Sequence, residues 1–93
     1  MEKGLSTKTM KMLYAKIQSF SNESSINERK LFLTEKELVK INGICEPLYI
    51  TNLGDAILIH YMAGELWTKA VFIPKTNLEI EEYLTDAIEW FFK

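Results

Sequence analysis

The last eighteen residues, 76–93, carry the clearest pattern of apolar and polar positions in the chain. On a helical wheel, one face collects the apolar residues Ile80, Leu84, Ala87, Ile88 and Phe91. Acidic residues collect on another face, and Trp90 lies at the border between the two. Thr76 and Glu79 have the spacing of a capping box, in which side chains bond to the backbone at a helix start. The pattern therefore predicts a C-terminal helix that begins at Thr76 and buries its apolar face.

A first helix is predicted near the N-terminus. Apolar residues recur at helical spacing between Met10 and Phe20, and Ser6 can cap the start of the helix. We expect the helix to end near Phe20, because the following residues are polar, rich in serine and prone to form turns. The segment around residues 21–28 is therefore predicted to be a mobile polar loop.

A second helix has start and stop signals of its own. Thr34 and Glu37 again have capping-box spacing, and Leu33 and Leu38 occupy the two positions of a hydrophobic staple. Gly43 follows the apolar run and allows the left-handed backbone conformation in which many helices end. These signals predict a short helix that begins after Thr34 and ends at Gly43.

The segment between residues 48 and 74 has the composition of β-strands. Three runs of β-branched and aromatic residues, 48–51, 56–62 and 66–73, are separated by turn-like stretches. Alternation in the middle run places Ile57, Ile59 and Tyr61 on one face, and Leu58, His60 and Met62 on the other. Both faces are rather apolar, so we expect the middle strand to be central. Residues 31–33 are either a short extra strand or an apolar approach to the second helix.

Together these elements predict an α+β fold with the order α-α-β-β-β-α. The expected architecture is a small three-stranded antiparallel sheet, arranged as a meander, with the helices packed on one side. The chain of 93 residues is long enough for one domain of modest stability, so residues 1–93 are expected to form a single compact domain. The apolar fraction of 47 % and the charged fraction of 26 % are typical of a globular protein.

Charge is distributed unevenly along the chain. The formal net charge is −2, with +3 in residues 1–22 and −4 in residues 51–93. Either a basic first helix lies beside an acidic last helix, or the acidic end meets a basic partner. No apolar run is long enough for a signal peptide or a membrane span. With one cysteine in addition, the chain is expected to be cytoplasmic and not attached to a membrane.

The sequence offers little material for catalysis. His60 is the single histidine and Cys45 the single cysteine, so no set of nitrogen and sulfur ligands for zinc can be assembled. We interpret His60 as a hydrogen-bonded sheet residue and Cys45 as a structural thiol. The glycines lack the spacing of a phosphate-binding loop. We therefore expect no catalytic residue, no metal and no cofactor, and we do not expect an enzyme.

The N-terminal half allows a comparison with one known family. The segments LSTKTMKMLYAKIQSF and FLTEKELVKINGI, within residues 5–44, resemble the opening of winged-helix domains. In that family a scaffold helix precedes a TxxEL-type second helix, a turn and a recognition helix, so the resemblance implies a nucleic-acid-associated regulator. No lysine or arginine occurs between Lys40 and Lys69, where a recognition helix would need cations for phosphate. Direct nucleic-acid binding is therefore disfavoured.

The leading hypothesis from sequence is a small, non-catalytic protein-binding module. Its expected docking residues lie on the C-terminal helix and are Glu79, Glu82, Asp86, Glu89 and Trp90. The acidic side chains would attract a basic, nucleic-acid-binding surface, and Trp90 would supply an anchor. In size, acidity and compact α+β character the chain is similar to small inhibitors encoded by phages and mobile elements, without a matching motif. Two alternatives stay open: a nucleic-acid-associated regulator with a winged-helix-like N-terminal half, which would act through the basic first helix, and a homodimer that forms through a sheet edge or the second apolar sheet face.

Overall fold

A computed structural model describes residues 5–43, 46–61 and 69–92. These residues form an α+β fold, which confirms the predicted fold class. The elements, in chain order, are α1 (Thr7–Glu23), β1 (Arg29–Leu33), α2 (Glu35–Asn42), β2 (Leu48–Asn52), β3 (Ala56–Tyr61), β4 (Ala70–Pro74) and α3 (Glu81–Phe91). A short 3₁₀ helix, Lys75–Asn77, connects β4 to α3. Predictions that concern Cys45, Met62 and the start of the third run at 66–68 lie outside the described residues.

The four strands form one antiparallel sheet in the order β1-β2-β3-β4. The predicted three-stranded sheet and the order α-α-β-β-β-α were therefore wrong in one respect, because β1 adds a strand between α1 and α2. The extra strand that the sequence left open at residues 31–33 is present, and it begins earlier, at Arg29. Leu31 of β1 lies opposite Tyr49 of β2. Arg29 and Lys30 at the start of β1 are exposed. An edge strand tolerates such charged residues, which hide its strand character in the sequence.

The hydrophobic core lies between one face of the sheet and the helices. Alternate residues of the central strands point into it, as the facing pair Ile50 and Ile59 shows. The helices contribute buried apolar residues to the same cluster, namely Met10, Leu13, Ile17, Leu38, Leu84, Ile88 and Phe91. The prediction that the helices pack on one side of the sheet agrees with this cluster. The alternation predicted for β3 is also confirmed, with Ile57 and Tyr61 in the core.

The second helix follows its sequence signals closely. The Thr34 hydroxyl accepts the backbone N–H of Glu37 at 3.2 Å, and the Glu37 carboxylate accepts the backbone N–H of Thr34 at 2.8 Å. Both halves of the capping box are thus present, and Leu33 and Leu38 are fully buried beside it. Gly43 adopts φ 80° at the end of α2, the left-handed conformation that glycine permits. These bonds fix both ends of α2, which connects the paired strands β1 and β2.

The first helix starts as predicted and ends later than predicted. The Ser6 hydroxyl accepts the backbone N–H of Thr9 at 3.1 Å, which confirms the cap. The helix continues to Glu23, one turn past the predicted end at Phe20, because serine and asparagine are tolerated where they face solvent. The remaining connection to β1 contains a turn with Asn27 at φ 70°. The mobility of the segment 21–28 stays a prediction.

The last helix begins later than its sequence pattern predicts. Thr76 lies in the 3₁₀ helix, its hydroxyl bonds to the side chain of Asn77, and α3 begins at Glu81. The predicted capping box of Thr76 and Glu79 was therefore wrong. The backbone N–H of Lys75 bonds to the carbonyl of Asp55 at 3.0 Å, which still ties this segment to the sheet. Ile80, predicted to be buried, precedes the helix and is 49 % exposed.

Candidate protein-docking site

The C-terminal helix is fixed to the sheet by its apolar face. Leu84, Ile88 and Phe91 are buried, as the sequence pattern predicted. The ring of Phe91 stacks on Tyr61 of β3, with a distance of 5.2 Å between ring centroids and an angle of 16° between the planes. Phe92 meets Phe91 edge-on at 5.3 Å. These contacts leave the opposite side of α3 to solvent.

The acidic side chains on that opposite side are exposed. They are Glu82, Asp86 and Glu89, whereas Glu81 is exposed in the first turn of α3 on the stripe of the buried Ile88. Trp90, the predicted anchor, is 51 % exposed. None of these carboxylates forms an ion pair with another residue of the ranges that the structure describes. The helix therefore presents negative charge and one large aromatic ring to solvent.

One of the five predicted docking residues lies apart from the others. Glu79 precedes α3 and lines a separate groove of about 550 Å³, together with Gln18 and Lys75. The sequence pattern assigned Glu79 to the C-terminal helix, because that helix was expected to begin at Thr76. The other four predicted residues, Glu82, Asp86, Glu89 and Trp90, lie on α3.

The two sides of α3 have different neighbours. On the side of α1, Glu81 and Glu89 line a groove of about 250 Å³ with Lys11. In the same groove the hydroxyl groups of Tyr14 and Thr85 are hydrogen-bonded to each other. A basic residue of the first helix therefore lies beside acidic residues of the last, as one interpretation of the charge distribution predicted.

On the side of β4, α3 borders a groove of about 320 Å³. Its lining residues are Val71, Tyr83, Asp86, Ala87 and Trp90. Val71 comes from β4, and the other four recur on α3 at the spacing of one helix face. The sequence pattern identified Asp86 and Trp90, whereas Val71 and Tyr83 were missed. The repeated spacing of Tyr83, Ala87 and Trp90 was a signal that could have found Tyr83.

Lys69 contacts Trp90 through both its ring and its backbone. The Lys69 ammonium lies 4.8 Å from the centroid of the Trp90 ring and 5.9 Å from that of Phe91. The same ammonium donates a hydrogen bond to the carbonyl oxygen of Trp90 at 3.2 Å. A cation at this position also interacts favourably with the negative end of the helix dipole. The exposed Trp90 ring therefore already contacts a cation of its own chain.

The sheet face opposite the helices is the second predicted interaction surface. Two of its apolar residues are exposed, Leu31 at 51 % and Phe72 at 54 %. His60 lies on the same face but is buried, with Nε2 3.1 Å from the Thr51 hydroxyl and its ring 6.2 Å from that of Tyr49. The interpretation of His60 as a hydrogen-bonded sheet residue is confirmed.

Burial of His60 predicts a pH dependence of stability. Burial and, secondarily, the Arg29 guanidinium lower the pKa of His60 below its usual 6.5. The unfolded chain therefore binds more protons below about pH 6.5 than the folded chain, and stability falls as the pH decreases toward the folded pKa, with a slope of at most about 1.4 kcal/mol per pH unit. Urea unfolding between pH 7 and pH 5 should show this loss, and the His60→Gln variant should show a smaller slope.

A slope that is the same in both proteins would contradict the assignment to His60. The range stops at pH 5 because hydrogen bonds from the Thr34 backbone and side chain, with a nearby lysine, hold the pKa of Glu37 below 4.5. That carboxylate contributes stability that is lost only at lower pH.

Other kinds of site find no support in the described part of the chain. Within it, no group of three or more histidine, cysteine, aspartate or glutamate residues is placed to hold a metal ion. None of the helices that the structure describes is long and apolar enough to cross a membrane. Comparisons with protein-family models, with curated proteins and with solved structures find no match for this chain.

Proposed function

We propose that this chain is a non-catalytic protein-binding module that docks a basic partner surface through α3. The observation that carries the proposal is the exposed surface of Glu82, Asp86, Glu89 and Trp90, whose carboxylates have no ion-pair partner among the described residues. Exposed carboxylates speed association with a basic surface by long-range attraction. Trp90 adds the large, exposed aromatic contact that concentrates binding energy in many interfaces.

The basic partner surface is best explained as one that normally binds nucleic acid. Carboxylates spaced along a helix can compete with phosphate groups for lysine and arginine side chains. The chain would then act as an inhibitor or adaptor of a nucleic-acid-binding protein, in the manner of small proteins encoded by phages or mobile elements. Glu79, which lies off the helix, is the least well placed of the five residues for this contact.

Direct nucleic-acid binding explains the same surface less well. The exposed face of α3 would repel phosphate, and the cations of α1 are partly engaged, since Lys16 lies 5.5 Å from the centroid of the Phe32 ring. Lys11 shares a groove with two glutamates. Five residues separate α2 from β2, too few for the recognition helix that the winged-helix resemblance implies.

Self-association through the outer sheet face is also less well supported. Four strands of about five residues cover roughly 300 Å² of flat area at ordinary strand spacing, whereas a stable interface buries roughly 800 Å² on each partner. Leu58 and His60 on this face are already buried within one chain. The exposed residues Leu31 and Phe72 alone offer little further area.

Affinity capture from a lysate of the native host tests the proposal. Asp86→Lys with Glu89→Lys reverses two charges on α3, and both positions lie beyond its first turn, where acidic residues favour the helix. Glu23→Lys with Asp55→Lys makes the same change of net charge at exposed positions of α1 and the β2–β3 turn. The α3 variant should retain roughly tenfold less partner than the wild type, because like charges then face each other. The matched control should retain it normally.

Loss of the partner by both variants would show that net charge alone controls retention, and would contradict docking through α3. Retention by both variants would contradict it as well. Far-UV circular dichroism must show that each variant is folded before the comparison is made.

A further inference from the structure

The outer edge of β4 carries backbone groups that the sheet does not use. The backbone N–H of Tyr61 bonds to the carbonyl oxygen of Lys69 at 3.1 Å. Bonded and non-bonded pairs alternate along antiparallel strands, so Val71 is bonded to β3 whereas Ala70 and Phe72 are not. The N–H and C=O groups of Ala70 and Phe72 therefore point away from β3, to the side where no described strand lies.

The two edges of the sheet are protected differently. β1 carries the exposed Arg29 and Lys30, and its pairing is irregular between Leu31 and Leu33. Exposed charges and bulges are features by which edge strands avoid pairing with other chains. β4, described from Ala70 to Pro74, has no charged residue and pairs regularly with β3. It is therefore the edge that is more open to another strand.

The groove between α3 and β4 lies directly beside this open edge. Val71 points to the core face of β4, opposite Ile59, but it is only half-buried. Tyr83, Ala87 and Trp90 of α3 line the groove with it. Successive side chains of a strand point to opposite faces of a sheet. A strand added to β4 would therefore direct the side chain opposite Val71 into the groove.

The charges beside the groove are balanced. Asp86 lines the groove, and the Lys69 ammonium lies 4.8 Å from the centroid of the Trp90 ring. One carboxylate and one ammonium favour no net charge in an occupant. The rest of the lining is apolar and aromatic, so the side chain that fits the groove is uncharged and apolar.

A second copy of this chain fits the edge less well than a different protein. Pairing of two β4 strands would bring the α3 helices of the two copies together on the side where Asp86 lies. Glu82 is exposed on α3 as well, so like charges would oppose this arrangement. The occupant favoured by these charges is a segment of another protein.

We propose that the β4 edge binds an extended segment of the partner protein as a further strand, with one apolar side chain of that segment in the groove. The backbone groups of Ala70 and Phe72 bond to the segment. In binding of this kind the main-chain hydrogen bonds give affinity, and a pocket for alternate side chains gives specificity. The proposal rests on the function proposed above, because Asp86 and Trp90 belong to both surfaces, and it specifies the form of the partner segment.

Nuclear magnetic resonance with a synthetic peptide tests the site without the partner. The probe is the neutral peptide acetyl-Ser-Thr-Leu-Thr-Ser-amide, which places leucine opposite Val71 and the two threonines opposite Ala70 and Phe72. It should cause saturable shifts of the Ala70 and Phe72 amide signals. The dissociation constant should lie in the millimolar range, because each main-chain hydrogen bond contributes little net free energy.

Two N-methylated peptides separate strand addition from unspecific contact. Methylation of both threonine nitrogens removes the N–H groups that face β4 and should weaken binding at least roughly tenfold. Methylation of the leucine nitrogen, whose N–H faces away from β4, should weaken binding less than roughly threefold.

A pair of equal substitutions in the protein tests the groove. Ala87→Leu fills part of the groove and should weaken binding of the unmethylated peptide roughly fourfold, the effect of about one methylene group left outside. Ala15→Leu makes the same change at an exposed position of α1 and should leave the affinity unchanged.

Shifts that do not saturate, or equal binding of the two methylated peptides, would overturn the strand site. An equal effect of the two alanine substitutions would overturn the groove as the place of the apolar side chain. Failure of the peptide alongside α3-dependent capture would remove the strand site and leave the docking function in place. Peptide binding without α3-dependent capture would remove the docking function instead.

Discussion

Replacing Phe91 with alanine should lower the free energy of unfolding by about 3–5 kcal/mol, the usual effect of removing a buried phenylalanine ring. Phe91 is 2 % exposed and stacks on Tyr61 of the central strand β3. The stacked pair adds about 0.5–1.5 kcal/mol to the contribution of burial itself. Because a domain of this size has a total stability of about 5–14 kcal/mol, the variant should lose a large part of it. Urea unfolding followed by circular dichroism measures the difference.

Trp90→Ala is the matched control for this substitution. Trp90 is adjacent and aromatic but 51 % exposed, and its contact with Lys69 should contribute about 0.5–1 kcal/mol. Equal losses of stability in the two variants would contradict the view that Phe91 fixes α3 to the sheet while Trp90 stays exposed at its surface.

Replacing Asn52 with alanine should lower the free energy of unfolding by about 2–4 kcal/mol, because three hydrogen bonds of about 1 kcal/mol each disappear. The side chain of Asn52 is 1 % exposed. Its amide nitrogen donates to the carbonyl oxygen of Ser24 at 3.2 Å and to the Ser24 hydroxyl at 2.9 Å. Its carbonyl oxygen accepts the backbone N–H of Gly54 at 2.9 Å. One side chain thus connects the end of α1 to the β2–β3 turn.

Asn22→Ala provides the control for the asparagine substitution. Asn22 is an exposed residue in the last turn of α1, so its replacement should change stability by less than about 0.5 kcal/mol. If Asn52→Ala changed the free energy of unfolding as little as Asn22→Ala, the hydrogen bonds between Asn52 and Ser24 would not be what joins the end of α1 to the β2–β3 turn. Both variants are compared by the same urea unfolding measurement.

Local signals in the sequence were enough to predict α2 and the start of α1. Thr34, Glu37 and Gly43 act within a few residues of one another, and their bonds form whatever the rest of the chain does. The sequence left residues 31–33 open as a strand, and deciding that β1 forms required a different kind of information. Arg29 and Lys30 are exposed, and their strand conformation depends on pairing with β2, which lies beyond α2 in the chain. A pattern read over a few residues does not contain that pairing.

The start of α3 shows how tertiary contacts override a local signal. Thr76 and Glu79 fit a capping box, yet the backbone N–H of Lys75 is bonded to the carbonyl of Asp55 at the end of the β3–β4 pairing, and the chain forms a 3₁₀ turn first. This shift removed Glu79 from the predicted docking surface. The later start of α3 does not change which of its remaining residues share a helix face.

The candidate site could be predicted in part for the same reason. Helical spacing correctly placed Asp86, Glu89 and Trp90 on the solvent side of α3. Spacing could not show that Glu89 borders α1 while Asp86 borders β4, because that depends on how the helix is packed. Val71 lines the groove because α3 packs against β4, so helical spacing alone could not predict its contribution.

The central claim is that the exposed acidic side of α3 docks a basic protein surface. The most direct measurement is the ratio of partner retained by the Asp86→Lys, Glu89→Lys variant to that retained by the Glu23→Lys, Asp55→Lys control, at equal protein concentration and salt. Since each reversed charge at the contact should cost about 0.5–1 kcal/mol or more, we predict a ratio of roughly one tenth or less. A ratio near one would contradict the claim.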